Sequence, residues 1–262
     1  FFIGNRVNLV SLGYYTQADK WSKMGISSIS QVLTSSFLPI LSQFQDDKER
    51  FARAAAKMNR FTAYLLFPAM GFLCVMAESI FHILFGTKWD ASIPLFQLLL
   101  LRGVFVVLSS LYNNYIIALG KARMMVYMEL LRDGAALLAL VVTLPVLAQS
   151  YPDDLTYGIK IMLIGQVIAY AMTFIVMLAV ISKLTYRSFG AYLRDCFPYL
   201  IETALIMIPM IILTQYVANP IAQLCLLAIV GLGLYVGVNF VLKSKIQAEA
   251  IDYFMYRFRK KK

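Results

Sequence analysis

The residues best suited to chemistry in this sequence sit inside apolar runs. Arg102 stands in LFQLLLLRGVFVVLSS (95–110), about ten residues into a hydrophobic helix rising ~1.5 Å per residue. A charge that deep in hydrocarbon costs from about 3 to more than 10 kcal/mol, so it faces a cavity or a partner. No acidic residue lies within a turn of it on the same helix. A hydrated cavity position is therefore expected, with an interhelical salt bridge as the second reading. Glu129, Arg132 and Asp133 fall about two turns inside the next helix. There, i,i+3 spacing also lets Glu129 and Arg132 neutralise each other. Glu78 and His82 lie near one end of their helix, and Glu202 just past the end of another.

A longer segment, about 12–44, is polar along one face. Gln17, Lys20, Ser27, Ser28, Gln31, Thr34, Ser35 and Ser42 recur at steps of three or four. Ile26, Ile29, Leu33, Phe37, Ile40 and Leu41 fill much of the remaining surface. Such a face cannot be turned to lipid. It lines water, or it packs through its serines against polar neighbours. Lys20, near Asp19 and Lys23, could also snorkel to an interface.

Other chemistry finds no support. Paired carboxylates, a nucleophile elbow and metal-ligand spacing are all absent, and His82 is the only histidine. Neither an enzyme nor a metal or cofactor site is expected. Cys74, Cys196 and Cys225 show no CxxC spacing and are read as unpaired packing residues. IVGLGLYVGVNF (229–240) half resembles a nucleotide loop but has no strand before it. Close helix contact through Gly233 and Gly237 is expected instead. Pro39, Pro68 and Pro209 fall within helices as candidate kinks.

The elements that must position these residues follow from composition. The chain is 60% hydrophobic and 15% charged, against roughly 45–50% and about 25% in soluble domains. Its mean hydropathy is +0.71. Apolar stretches near the ~20 residues needed to span hydrocarbon occur at about 12–44, 61–85, 93–118, 124–147, 157–181, 197–217 and 220–242. The fold class is an all-α, polytopic membrane helix bundle. The opening FFIGNRV has no basic n-region and reads as the tail of a helix entered partway, so the sequence is taken as a fragment.

Basic residues alternate between the connections. They crowd 45–60, the GKAR turn (120–123), 182–194 and the tail from Lys243, while the other connections hold Arg6 and Lys88. By the positive-inside rule the crowded set and the C-terminus are cytoplasmic. The net charge of +10 is then a matter of topology and needs no nucleic-acid partner. FARAAAKM (51–58) and the tail residues Ile251, Phe254, Met255 and Phe258 are amphipathic. Both could lie in the headgroup layer against anionic lipids, or be solvated basic segments.

LGYYTQADKW (12–21), SSFLPILSQFQDDKERFARAAAKMNR (35–60), FPAMGFLCVMAESIFHILFGTKWDASIPLFQLL (67–99) and LYNNYIIALGKARMMVYMELLR (111–132) carry a family resemblance. Together they resemble the Wzx-type (WzxC-like) lipopolysaccharide O-antigen flippases, polysaccharide-biosynthesis proteins of the MATE-like MOP superfamily. The resemblance implies a transporter of two inverted-V lobes plus two further helices. On that pattern residues 1–181 are the second lobe, truncated at its first helix. Residues 182–242 are the additional helix pair and 243–262 a basic cytoplasmic tail.

The implied activity is flipping of an undecaprenyl-diphosphate-linked oligosaccharide across the bacterial inner membrane by alternating access. Arg102, Lys20, Lys23 and Arg132 would supply positive potential for the diphosphate, and Gln17, Ser27, Gln31 and Thr34 would contact sugar. Glu129, Asp133 and Glu202 could couple transport to H+ or Na+, and polysaccharide assembly machinery is an implied partner. A cation or drug antiporter of the same superfamily, a flippase of peptidoglycan precursors and a membrane polymerase or ligase remain as alternatives.

The topology is directly testable. Alkaline phosphatase fused after Ser188 should be inactive, and fused after Lys88 active; the reverse pattern would overturn the orientation.

Overall fold

A computed structural model of the chain describes residues 8–147, 149, 154–244 and 246–248. The expected helix stub, Arg6 and the amphipathic tail residues lie outside that set. Among the described residues the α-helices run in order: α1 (Leu9–Ser42), α2 (Lys48–Val75), α3 (Ala77–Phe85), α4 (Ile93–Ala118), α5 (Ala122–Leu147), α6 (Tyr157–Leu184), α7 (Phe189–Thr214) and α8 (Pro220–Val241). A 3-10 turn, Thr87–Ser92, leads into α4. Among the described residues seven helices are long and apolar enough to cross a membrane, all but α3. The all-α polytopic bundle expected from the sequence is what forms.

Helix starts follow local chemistry. Asn8, Asp47 and Asn219 cap α1, α2 and α8 by accepting backbone N–H bonds, and Pro220 begins α8 where no N–H partner is needed. Glu49 adds a negative charge to the first turn of α2. Gly86, at φ 78°, ends α3 in a conformation that a side chain would strain.

Three boundaries differ from expectation. The basic segment 45–60 is mostly helix: α2 starts at Lys48 and runs unbroken into its span. Its apolar face does not meet lipid headgroups, because Phe51, Ala55 and Met58 are buried by protein. The apolar run 61–85 is broken at Met76 into α2 and α3, a break that no Gly or Pro announces. Finally, α7 begins at Phe189, so Glu202 sits mid-helix instead of near an end.

α4 is the centre of the bundle, packed on α1, α6 and α2; α5 lies on α6, α7 on α2, and α8 on α7 and α3. One core cluster holds Leu33, Leu66, Phe81 and Leu99, and another Phe51, Tyr112, Tyr115 and Tyr192. The second cluster is tied by polar bonds. The Tyr112 hydroxyl donates to Asn59 Oδ1 at 3.1 Å, and the Tyr115 hydroxyl to the Ala55 carbonyl at 2.9 Å. The connections sort by charge. At the basic end Lys48 Nζ lies 4.3 Å from the Tyr186 ring centre. At the other end Ser11 Oγ donates to the Leu155 carbonyl at 2.7 Å, and Ser79 bonds Gln223.

Glycine contacts correct one expectation. Among the described residues, added Cβ atoms at Gly233 and Gly237 would meet nothing within 4 Å, so neither makes a close helix contact there. Leu227, Gly231, Tyr235 and Asn239 recur every four residues and form the buried face, and Gly231 meets Met210 and Phe72. Gly103 is the tightest case: its added Cβ would lie 2.4 Å from Ile26 Cδ1 at the α1–α4 contact.

Gly103→Leu should therefore destabilise the protein by about 1–3 kcal/mol in detergent unfolding, whereas Gly233→Leu stays within about 0.5 kcal/mol. A second test is pH. Lys160, hydrogen-bonded at 2.7 Å, holds the Asp154 carboxyl below its ordinary value, with help from Thr156. The stabilisation is present above the ordinary carboxylate range and is lost as pH falls through the lowered value. Asp154→Asn should flatten that acid limb of the stability curve.

Candidate functional site

The polar face of α1 is open. Lys20, Lys23, Ser27, Ser28, Gln31 and Ser35 are all exposed, and Gln17 partly so, while Ala18, Ser22, Ile26 and Leu33 are buried on the opposite side. Helical periodicity alone produces this division. The hydroxyls of Ser27 and Ser28 donate back to the Met24 carbonyl at 3.2 and 2.8 Å. Their oxygens remain free to accept. Thr34 departs from the group, being half-buried and accepting from Asn114 Nδ2 of α4 at 3.3 Å.

Behind this face lies Arg102. Its Nη1 donates to Gln166 Oε1 of α6 at 2.6 Å, and its Nη2 is 3.7 Å from Asp19 Oδ1 of α1. Asp19 Oδ2 is also 2.5 Å from Lys23 Nζ. One carboxylate thus serves two cations. The side chains of Arg102 and Asp19 are 14% and 15% exposed, whereas that of Lys23 is 67% exposed. Arg102 is therefore held between helices by a salt bridge, and the cations that face outward are Lys20 and Lys23. The partner that Arg102 lacks on its own helix comes from across an interface, which helical spacing could not show.

A second cluster adjoins the first. Arg132 bonds Glu129 and lies 3.2 Å from Asp133 Oδ1, the i,i+3 pairing anticipated from spacing. Asn113 Nδ2 of α4 adds a 2.5 Å bond to Glu129 Oε1. The cavity beside them holds only about 10 Å³, too small to act as a vestibule. Both clusters touch one ring: Arg102 and Arg132 lie 5.8 and 5.9 Å from the centre of Tyr170 in α6. A polar track thus crosses the bundle from α1 through α4 and α6 to α5.

Glu202 is not part of it. It pairs with Asn239 Nδ2 of α8 at 2.5 Å, in a separate buried group with Tyr235 and Tyr64. Gln166, Tyr170 and Asn113 join the site although nothing in their helical spacing marks them. An isolated glutamine in the apolar run 157–181 was the available signal, since a membrane helix rarely carries an amide without a partner.

Comparisons with known proteins point one way. Residues 1–94 match the model of a family described as polysaccharide biosynthesis protein. A Klebsiella pneumoniae protein named "uncharacterized membrane protein in cps region" is 25% identical over 225 residues, 85% of this chain and 44% of its own length. The teichuronic acid biosynthesis protein TuaB of Bacillus subtilis is 25% identical over 144 residues, 54% of this chain and 30% of its own. The succinoglycan biosynthesis transport protein ExoT of Rhizobium meliloti is 25% identical over 133 residues, 51% and 27% respectively. The chain therefore spans less than half the length of each of these relatives. No solved structure matches it. The resemblance to polysaccharide-biosynthesis proteins read from the motifs is borne out, in a multi-pass membrane protein.

Asp19 is the residue whose loss should matter most to this site. Asp19→Asn leaves two cations without their shared carboxylate, and should cost roughly 3 kcal/mol in detergent unfolding. Adding Arg102→Gln should restore part of that stability; additive losses would show that the pair is not coupled.

Proposed function

We propose that this chain forms one lobe of a transporter that moves a lipid-linked, diphosphate-bearing oligosaccharide across a bacterial cytoplasmic membrane during polysaccharide biosynthesis. The observation that carries the reading is the open polar, basic face on a helix of bilayer-spanning length. A second lobe supplies the opposing wall. The relatives' names, which include teichuronic acid biosynthesis and succinoglycan biosynthesis transport, support it.

The physical problem is the headgroup. A diphosphate–sugar is anionic and hydrated, and hydrocarbon gives it no partner. Lys20 and Lys23 face it directly. Lys23 exchanges its contact with Asp19 for phosphate as the headgroup arrives. Arg102, fixed behind Asp19, adds positive potential at close range in a medium of low dielectric. Ser27 and Gln31 take sugar hydroxyls, for which free acceptor oxygens and amide groups are suited. The lipid tail stays outside, along apolar surface such as that of α5, where Leu137, Leu138, Val141 and Val142 are exposed. Arg132 and Thr34, already engaged by neighbours, act as framework for the cavity wall.

No bond is made or broken in this reading, so no catalytic residue or cofactor is assigned. Among the three acidic residues considered for H+ or Na+ coupling, Glu129 and Asp133 are held by Arg132. Glu202 has a neutral amide as its bonded partner and is the stronger seat for coupling. A cation antiporter on the same scaffold is less well supported, because the outward-facing charges of α1 are lysines.

Reversing the two exposed lysines tests this. In the full-length protein, Lys20→Glu with Lys23→Glu should lower surface polysaccharide by more than about ten-fold, through like-charge repulsion of the headgroup. Membrane levels should be unchanged, and the Lys→Arg pair should retain export. Normal export by the reversed variant would remove this face from the transport path.

A further inference from the structure

At the basic end of the bundle, α2, α7 and α8 enclose a cavity of about 570 Å³ that contains no residue of α1. Three arginines from separate stretches line it: Arg60 of α2, Arg187 of the α6–α7 connection and Arg194 of α7. Arg187 is committed, being 2.6 Å from Asp195 Oδ2 and 4.7 Å from the Tyr192 ring centre. Arg60 and Arg194 are exposed, and neither forms an ion pair among the described residues.

The cavity changes character with depth. Glu202 lies eight residues beyond Arg194 on α7, roughly 12 Å further along the helix. It is bonded to Asn239 and offers an anion no positive partner at that level. Alongside, the wall is apolar and uncovered, with Ile201, Leu205 and Leu242 exposed at 42%, 60% and 69%. Guanidinium forks match phosphate oxygens in geometry and charge. A soluble anion would have no use for the apolar wall beneath them, whereas an acyl chain would.

We propose that this cavity binds an anionic phospholipid: Arg60 and Arg194 hold the phosphate diester, and the acyl chain lies along Ile201, Leu205 and Leu242. The site is separate from the polar face of α1, so it stands or falls independently of the transport reading. It also gives the basic end a lipid contact in place of the headgroup layer expected for the buried face of 51–58.

The test uses the purified full chain in detergent, titrated with dioleoylphosphatidylglycerol or dioleoylphosphatidylcholine and followed by native mass spectrometry. Phosphatidylglycerol should be retained at least ten-fold better than phosphatidylcholine. Arg60→Gln with Arg194→Gln should weaken that retention by roughly 20-fold. Arg50→Gln with Arg53→Gln removes the same charge from exposed positions outside the cavity, and should leave retention within two-fold. Glycerol 3-phosphate at equal concentration should not displace the lipid. Equal retention of the two lipids, or equal loss in both double variants, would overturn the proposal by showing a diffuse field in place of a site. Displacement by glycerol 3-phosphate would overturn it in favour of a soluble anion.

Discussion

A guanidinium in hydrocarbon needs solvent made of protein, and here it is assembled from separate helices. Asp19 comes from α1, Gln166 and the Tyr170 ring from α6, and Arg102 itself from α4. Arg102 lies within about 5 Å of the midpoint of the 26-residue α4, where water is scarce and an unpaired charge is costly. The three helices can therefore meet in few registers. Gly103, the next residue, lets Ile26 of α1 come close enough for Asp19 to reach across. Packing and charge neutralisation select the same arrangement, as expected of a sequence consistent across levels.

The same bundle presents two different solvents to its surroundings. The stretch of α5 past Asp133 exposes Leu137, Leu138, Val141 and Val142 and suits lipid tails. The outer side of α1 shows lysines, serines and glutamine along a helix equally able to span a membrane. Lipid satisfies the first and not the second. In the proposed transporter this asymmetry separates cargo from tail: the wet face carries the headgroup and the dry faces carry the polyprenyl chain. Sharing Asp19 between two cations leaves that face net positive, although each cation is partly compensated.

Much of this was legible in the sequence, and the remainder fails for identifiable reasons. Apolar runs gave the spans because hydrocarbon thickness is a strict ruler, and α1's stripe showed its open face through periodicity alone. The Glu129–Arg132 pair was visible because its partners share a helix. Arg102's partners were not, since Asp19 and Gln166 lie far away in the chain. Spacing in α8 points to Gly233 and Gly237 as contact glycines, but the buried register runs through Gly231, Tyr235 and Asn239, because only the packing partner fixes which face is inside. α7 starts earlier than its apolar run because Asp195, a loop-like residue by type, is buried and paired with Arg187.

Water access along α1 is the most direct measure of the central claim. Single cysteines at Ser27, Gln31, Ile26 and Leu33 of a cysteine-free full-length protein can be challenged in intact membranes with a membrane-impermeant maleimide. Ser27 and Gln31 should react and be protected by lipid-linked oligosaccharide, while Ile26 and Leu33 stay unreactive. If Ser27 and Gln31 prove as inert as the two buried positions, the α1 face is dry and borders no cavity.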